Sequence, residues 1–481
     1  MQQCDIGMIG LGTMGRNLVL NIGDKGFSAA GYDKDFNKLD LLQGEAGERK
    51  ILAAKSLEEF FSMLKTPRAF IMLVPAGPAV DAIIEEALPY MEKGDIIIDG
   101  GNSHFTDTDR RIKDLAGRNI HFMGMGISGG EQGARFGPSM MPGGDPEAYE
   151  SLKKLFEAVA AKADKEPCVA YMGKGSAGHY VKMVHNGIEY AMIQIISESY
   201  HLLKTGLGLN NDELSETFQK WNNEELHSFL LEITSKIFLM EEKEEAGKVK
   251  PGAKKNRRLI DFILDRARQK GTGKWTSQDA MDLQIPVPSI DAAVMMRDLS
   301  ADRDMRLQYS KILKGPSSSY KGDKNEFIPR LKNALYFSMI TAYAQGMALL
   351  KKASESYSYG VDLKKVAAIW RGGCIIRASV LDDILEAFKK DKDLNNLIMH
   401  DKFAGILNQM QEDIRFVVKS AIDMGIPVPA LSSSLSYFDS YRSPWLPANL
   451  VQAQRDFFGA HTYERIDKEG VFHTEWLKGE K

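Results

Sequence analysis

The sequence predicts an α/β, Rossmann-like N-terminal domain followed by a large all-α domain with internal duplication and a C-terminal tail. Three observations predict it. A G-x-G-x-x-G run, Gly10 to Gly15, lies between an apolar strand and a helix-like stretch. Apolar strand-like runs then alternate with helical stretches through the first third. Beyond Gly178 the strand pattern stops, and helix-period segments repeat at a separation of about 145 residues.

A chain of 481 residues is too long for one hydrophobic core. The boundaries are placed at 1–177, 178–436 and 437–481. A net charge of −3 gives no electrostatic case for a nucleic-acid or membrane partner. Cys4, Cys168 and Cys374 are far apart, so neither a metal site nor a disulfide framework is expected, and a reducing compartment is. The chain opens directly on strand-like DIGMIG and holds no uncharged apolar run of membrane-spanning length, so a cytoplasmic protein is expected.

The first strand is Ile6 to Ile9. In the run that follows, Gly10, Leu11, Gly12, Thr13, Met14 and Gly15, the three glycines have separate jobs. Gly10 permits a tight turn, Gly12 lets backbone approach a pyrophosphate, and Gly15 lets the helix pack close to the strand. The next strand, FSAAGYD, ends on Asp33, placed to bind the adenosine ribose hydroxyls. In Asp33-Lys34-Asp35 the acid would repel the extra phosphate of NADP while Lys34 could attract it, so NAD is favoured and NADP is the runner-up. Further strands are read at 69–75, 95–101, 119–125 and 168–173. Loops beyond strand ends line ligand clefts in such sheets, which singles out Asp99-Gly100-Gly101-Asn102-Ser103 and Gly126-Ile127-Ser128-Gly129-Gly130. Ser128 with glycine N–H groups suits a carboxylate; both loops are equally compatible with plain tight turns.

In the helical part, Asn186-x5-Met192-Ile193 returns as Asn333-x5-Met339-Ile340, and Leu202-Leu203-Lys204 as Leu349-Leu350-Lys351. Trp221 is answered by Trp370, and Ala280-x-Asp282-x-x-Ile285-Pro-Val-Pro by Ala421-x-Asp423-x-x-Ile426-Pro-Val-Pro. The echoes come in one order, which argues for a duplicated helical unit.

Lys182, His185, Asn186 and Glu189 share one face of an otherwise apolar helix. Buried charges are costly unless paired or used, so a base and an acid on one buried stripe suit proton transfer; an internal ion pair is the alternative. In the second copy Asn is kept, but Lys182, His185 and Glu189 correspond to Pro329, Lys332 and Tyr336, which favours chemistry in the first copy. Lys270 and Lys274 flank a glycine turn before Trp275 that could bind phosphate, or be merely solvated. The charge-rich run 241–258 is read as a solvated loop or helix extension. The aromatic tail from Tyr437 is too apolar for a disordered extension and should dock, with Arg455 and His461 flanking DFFGA.

These motifs together resemble the 6-phosphogluconate dehydrogenase family over nearly the whole chain: GLGTMG at 10–15, DGGNS at 99–103, GISGGEQGARFGPSMMPGG at 126–144, KMVHNGIEY at 182–190, QKGTGKW at 269–275, WRGGCIIR at 370–377 and QAQRDFFGAHTYE at 452–464. The shorter β-hydroxyacid dehydrogenases look similar in the glycine motif, the SGG loop and the pattern ending at Lys182, but lack the second helical unit and the tail.

The resemblance implies oxidative decarboxylation of 6-phosphogluconate to ribulose 5-phosphate with hydride transfer to NAD(P), in the pentose phosphate pathway. It implies Lys182 as general base and Glu189 as general acid. Asn102, Ser128, Gly129, Gly130, His185 and Asn186 match substrate-contacting positions. Tyr190, Lys270, Arg297, Arg455 and His461 match the surroundings of the substrate phosphate, the last two supplied by the other subunit of a homodimer. Val74, Pro75 and Ala76, with Asn102, join Gly10–Gly15 and Asp33–Asp35 as cofactor-binding positions. Family members using NADP look like Asn-Arg-Thr where this chain has Asp33-Lys34-Asp35, and 241–258 looks longer than the usual pattern. A non-decarboxylating 3-hydroxyacid dehydrogenase and a catalytically silent nucleotide-binding sensor are the other readings.

Overall fold

The computed structural model describes residues 3–242 and 257–477. Most of the charged run at 241–258 therefore lies outside the described residues. The chain forms two compact units, Met1–Ser434 and Leu435–Lys481.

The first unit begins with a seven-stranded sheet in the order β3-β2-β1-β4-β5-β6-β7. The strands are β1 (Ile6–Ile9), β2 (Ala29–Tyr32), β3 (Ile51–Ala53), β4 (Ala69–Met72), β5 (Ile96–Asp99), β6 (His121–Ser128) and β7 (Ser139–Gly144). Neighbours pair in parallel except β6 with β7. The doubly wound sheet reverses direction between β1 and β4, so ligands belong at the carboxyl ends of those strands. Apolar side chains cover both faces, with Met8, Leu18, Ile71 and Ile98 on one and Ile9, Phe60, Phe70 and Ile97 on the other.

Three strands depart from the sequence reading, the first being the short edge strand β3, which was not read from the sequence. The run 168–173 is not a strand: it makes one isolated bridge, Met140 to Val169, plus loop hydrogen bonds such as Met172 N–H to Pro142 O at 2.8 Å. The strand beside β6 at the sheet edge is instead β7, whose sequence SMMPGG carries a proline and two glycines and lacks the usual strand signal.

The remainder of the unit is helical. The helix Ala177–His201 packs on β6 and β7, and also against the helices Thr272–Asp282, Pro288–Ala301 and Lys324–Ser356. The duplication read from the sequence is visible in the turns. Thr272–Asp282 leads through left-handed Gln284 (φ 58°) into Pro288–Ala301, as Asp401–Met424 leads through left-handed Gly425 (φ 65°) into Pro429–Arg442. A proline opens the second helix each time, where its missing N–H costs nothing.

The second unit gathers the helix Ala448–Gly459 and the antiparallel pair Tyr463–Glu464 and Val471–Phe472 around Asp456. The Asp456 carboxylate accepts from Thr462 N–H (2.8 Å), Thr474 N–H (3.0 Å) and Trp476 Nε1 (2.9 Å), and His473 lies 2.9 Å away. The tail is thus an ordered element built on one acid. Among the described residues no helix is long and apolar enough to cross a membrane.

Candidate active site

The glycine motif folds as its spacing requires. Gly10 has φ 97°, and a side chain there would meet Leu73 O at 2.5 Å. Gly15 sits against Gly10 O, where an added Cβ would fall 1.9 Å away. Around Gly12, by contrast, nothing lies within 4 Å of a notional Cβ, and Gly12 caps the helix Thr13–Asp24, which offers free N–H groups at that opening. These residues fit a dinucleotide pyrophosphate. Leu11 has its side chain fully buried and gives its N–H to Asp33 Oδ2 at 2.8 Å.

A cavity of about 310 Å³ lies between Gly10, Gly12, Asp33, Lys34, Lys38 and Glu86. It has the position of an adenosine pocket. Burial would raise the Asp33 carboxyl, but N–H groups of Asp35 and Leu11 and the Lys38 ammonium outweigh it and hold it below the usual range. Asp35 is absent from the cavity lining; it caps the helix Phe36–Ala46 by accepting from Asn37 N–H at 3.1 Å.

A second cavity, of about 1000 Å³, joins the cofactor motifs to the polar stripe. From the nucleotide fold it takes Met14, Val74, Pro75 and Ala76, then Asn102 with Gly100 and Gly101, and Ser128, Gly129 and Gly130. From the helical part it takes Lys182, Asn186, Glu189 and Tyr190, then Lys270 and Arg297. All these residues belong to Met1–Ser434.

Close packing puts the stripe there. β6 is read G-M-G-I-S, and its glycines admit the helix Ala177–His201 at backbone distance: a Cβ on Gly126 would lie 2.3 Å from Lys182 Cβ, and one on Gly178 would lie 2.2 Å from Gly124 O. Lys182 Nζ donates to Asn186 Oδ1 at 2.7 Å and lies 3.4 Å from His185 Nδ1. His185 Nε2 is 3.2 Å from Ser128 Oγ, and Glu189 lies 3.9 Å from His185 Nδ1. His185 is fully buried and absent from the lining; it stands behind Lys182 and Ser128, packed edge-on against Trp370.

Electrostatics separate the two ends of the stripe. Burial lowers the Lys182 ammonium, partly offset by Glu189. Burial raises the Glu189 carboxyl against the pull of Lys182 and Arg297. Burial, then the neighbouring Lys182, pushes His185 well below its ordinary value, so it is neutral. The stripe is not a simple ion pair: desolvation favours a neutral amine and a protonated acid, the pairing needed for a base and an acid.

At the far end Arg297 lies over the Tyr190 ring at 4.4 Å and donates to Arg268 O at 3.1 Å. Gly271, left-handed at φ 98°, turns the chain so that Lys270 and the first turn of the helix Thr272–Asp282 border the cavity. Arg455 and His461 lie in the second unit; Arg455 Nη1 donates to Gln452 Oε1 at 3.0 Å.

Sequence reasoning missed several residues. Gln269, Thr272, Trp275 and Ile375 line the large cavity from within the motifs QKGTGKW and WRGGCIIR without having been named as site residues, and Arg268 lines it from just outside them. Arg111 is more consequential. It is 2% exposed, and it donates to Gly77 O (3.1 Å) and Asp81 (2.8 Å) while standing near Asp99 (3.5 Å) and Ser103 (3.4 Å). One guanidinium so pins the loop after β4 and the loop carrying Asn102. The signal was present: Phe105, Thr108, Arg111 and Leu115 make a buried helical stripe.

Two family models cover the chain: the NAD binding domain of 6-phosphogluconate dehydrogenase matches residues 5–173, and the 6-phosphogluconate dehydrogenase C-terminal domain matches 178–476. The chain belongs to the 6-phosphogluconate dehydrogenase family. Similar relatives include the decarboxylating 6-phosphogluconate dehydrogenase of Lactococcus lactis subsp. lactis IL1403, 50% identical over 99% of each chain. The NADP(+)-dependent, decarboxylating enzyme of Bacillus subtilis 168 is 50% identical over 99% of this chain and 100% of its own. Among solved structures, Plasmodium falciparum 6-phosphogluconate dehydrogenase, studied with its cofactor NADP+ and its substrate 6-phosphogluconate, superposes with a TM-score of 0.92 at 44% identity, covering 98% of this chain and 100% of its own.

Proposed function

We propose that this protein oxidatively decarboxylates 6-phosphogluconate to ribulose 5-phosphate and carbon dioxide, reducing a nicotinamide dinucleotide, as a step of the pentose phosphate pathway. The observation that carries the reading is a single cavity lined by Val74–Ala76 of the nucleotide fold, by Lys182 and Glu189, and by the cations Lys270 and Arg297. A bound nicotinamide dinucleotide supplies the hydride acceptor. Lys182, neutral through burial, takes the proton of the carbon-3 hydroxyl as hydride leaves that carbon. The product is a β-keto acid, which loses carbon dioxide readily. Lys182, now an ammonium, stabilises the developing enolate oxygen. Glu189, whose carboxyl burial raises above its ordinary value, assists protonation of the substrate's carbon 2, which becomes carbon 1 of ribulose 5-phosphate.

Asn186 accepts from Lys182 and sets the position of its amine, with His185 and Ser128 completing the hydrogen-bonded group around it. Ser128, Gly129, Gly130 and Asn102 suit the carboxylate and hydroxyl end of the substrate. Tyr190, Lys270 and Arg297 suit its phosphate, with Arg455 and His461 brought by the tail of a second subunit. A homodimer is supported by exposed apolar side chains on the tail, among them Leu450, Val451, Phe457 and Phe458. Three buried, unpaired cysteines fit a cytoplasmic protein.

NAD is the favoured cofactor because Asp33, the acid at the end of β2, would face the additional phosphate of NADP. The Bacillus subtilis and Plasmodium falciparum relatives use NADP and lend this preference no support; it rests on the charge of Asp33 in this chain's Asp33-Lys34-Asp35 alone.

Initial rates with 6-phosphogluconate and each nicotinamide, read as reduced cofactor and released carbon dioxide, test the reading. Equal amounts of both products are expected. Cofactor reduction without carbon dioxide would replace it by a simple 3-hydroxyacid dehydrogenase, and no reduction at all by a silent nucleotide-binding protein.

A further inference from the structure

The adenosine pocket contains a fourth charged group that the glycine motif and Asp33 do not explain. Glu86 reaches it from the helix Pro78–Ala87 on the opposite wall. Its carboxylate accepts from Lys34 Nζ at 2.7 Å. Across the pocket, Lys38 Nζ lies 3.1 Å from Asp33 Oδ2 and 3.2 Å from Oδ1. Two acids and two lysines thus form two closed pairs around one cavity of about 310 Å³.

We infer that Glu86 is a specificity-determining residue for the cofactor, acting by holding Lys34 away from the ribose 2′ position. This inference rests on the NAD reading of Asp33 and extends it to a residue far away in the chain.

Charge decides the argument. As paired, the four side chains sum to zero. A ribose with free hydroxyls adds no charge, so the pairs stand. A 2′-phosphate brings close to two negative charges beside Asp33 and Glu86. It is tolerated only when Lys34 or Lys38 leaves its acid, which uncovers that acid to the phosphate. Lys34 is the easier to redirect, since its side chain is 65% exposed, against 36% for Lys38. Glu86 is therefore what stands between Lys34 and service as a phosphate ligand. Its hydrogen bond to Lys34 is also what raises that ammonium. Asp33, held by Leu11 N–H, Asp35 N–H and Lys38, is fixed by the backbone and cannot yield in the same way.

The test measures kcat/KM for NADP and for NAD in the wild-type protein, in Glu86→Gln and in the double variant Glu86→Gln with Lys34→Met. The NADP-to-NAD ratio of kcat/KM is expected to rise about tenfold in Glu86→Gln, the effect of one ammonium, Lys34, released to pair with a partly solvated phosphate. The rise should sit in the KM for NADP, with little change in its kcat. The double variant should lose the gain, because freed Lys34 carries it. A ratio unchanged in Glu86→Gln, or a gain that survives loss of Lys34, overturns the inference. The wild-type ratio judges the NAD reading separately: a wild-type preference for NADP defeats that reading, while the change caused by Glu86→Gln still decides the role of Glu86.

Discussion

Glu198 and Gln345 occupy the same position in the two copies of the helical unit, and each holds the N-terminus of the other copy's second helix. The Glu198 carboxylate accepts from Ala430 N–H and Leu431 N–H, both at 2.9 Å. Gln345 Oε1 accepts from Ser289 N–H at 3.0 Å, and its Nε2 donates to Ser289 Oγ at 2.9 Å. Each side chain satisfies N–H groups that a helix start leaves unpaired. The reciprocal arrangement locks the copies together.

The two copies differ in charge, and this gives a pH dependence. Burial pushes the Glu198 carboxyl from 4.5 up to about 7, against the hydrogen bonds from Ala430, Leu431 and Gln194. Below pH 4.5 the group is protonated folded or unfolded. Between 4.5 and about 7 the native state keeps a proton that the unfolded chain has released, so stability falls as pH rises through this window. The loss approaches about 3 kcal/mol above it. Glu198→Gln cannot titrate. Denaturation midpoints from about pH 5 to about pH 8 should therefore decline less with pH in the variant than in the wild type. Parallel profiles would contradict the buried charge.

Lys182→Arg separates charge from basicity. A guanidinium stays protonated at any working pH, so it keeps the cation and cannot act as base. A fall in kcat of about 10³-fold is expected, within the usual range for general-base catalysis. Cofactor binding, followed by fluorescence titration, should survive, because Lys182 lies on a helix apart from the glycine motif. In the wild type, kcat/KM should fall on the acid side as Lys182 becomes protonated, at a pH below the ordinary lysine value because burial lowers it. An Arg variant with near-normal turnover would remove Lys182 from the base role.

Glu189→Gln should divide the reaction in time. Hydride transfer needs Lys182, whereas Glu189 acts after carbon dioxide has left. Mixing the variant with substrate and cofactor should give a fast first turnover of reduced nicotinamide, then steady turnover slowed about 10²-fold. Loss of the first turnover as well would mean that Glu189 acts before or during oxidation.

Much of this was legible in the sequence, and what was not had physical reasons. Gly10–Gly15 could be read because each glycine answers a separate backbone demand; the turn at Gly10 and the close packing at Gly15 are seen, and Gly12 faces open space. The stripe Lys182, His185, Asn186 and Glu189 could be read because helical period places residues without knowledge of the partner element. His185 was expected among the substrate contacts and is fully buried and absent from the cavity lining, since period fixes a face and says nothing of depth. β7 was missed because its pairing to β6 overrides the weak strand propensity of SMMPGG. Arg111 and Glu86 were missed because what they hold cannot be read locally. Helical period puts Arg111 on the buried face with Phe105, Thr108 and Leu115 but does not name Gly77 as its partner, and no local pattern pairs Glu86 with Lys34.

Gly126→Ala tests how the base is placed. The added Cβ would fall 2.3 Å from Lys182 Cβ, 2.8 Å from its Cγ and 3.1 Å from Gly178 O. These are backbone-near atoms of a buried helix, so no flexible side-chain end can yield, and β6 is held on both edges by β5 and β7. The helix must move off the sheet, carrying Lys182 with it. Overpacking of this kind costs about 1–3 kcal/mol. A displacement of about 1 Å at the reacting group can cost 10²-fold in rate. The variant should therefore melt at lower temperature and lose most of its kcat while retaining cofactor affinity, since the pocket around Gly10, Gly12 and Asp33 does not include Gly126. Gly44→Ala, where nothing lies within 4 Å of the added Cβ, is the matched control and should leave both melting temperature and turnover close to wild type. Equal behaviour of the two variants would show that the glycine of β6 does not set the position of Lys182.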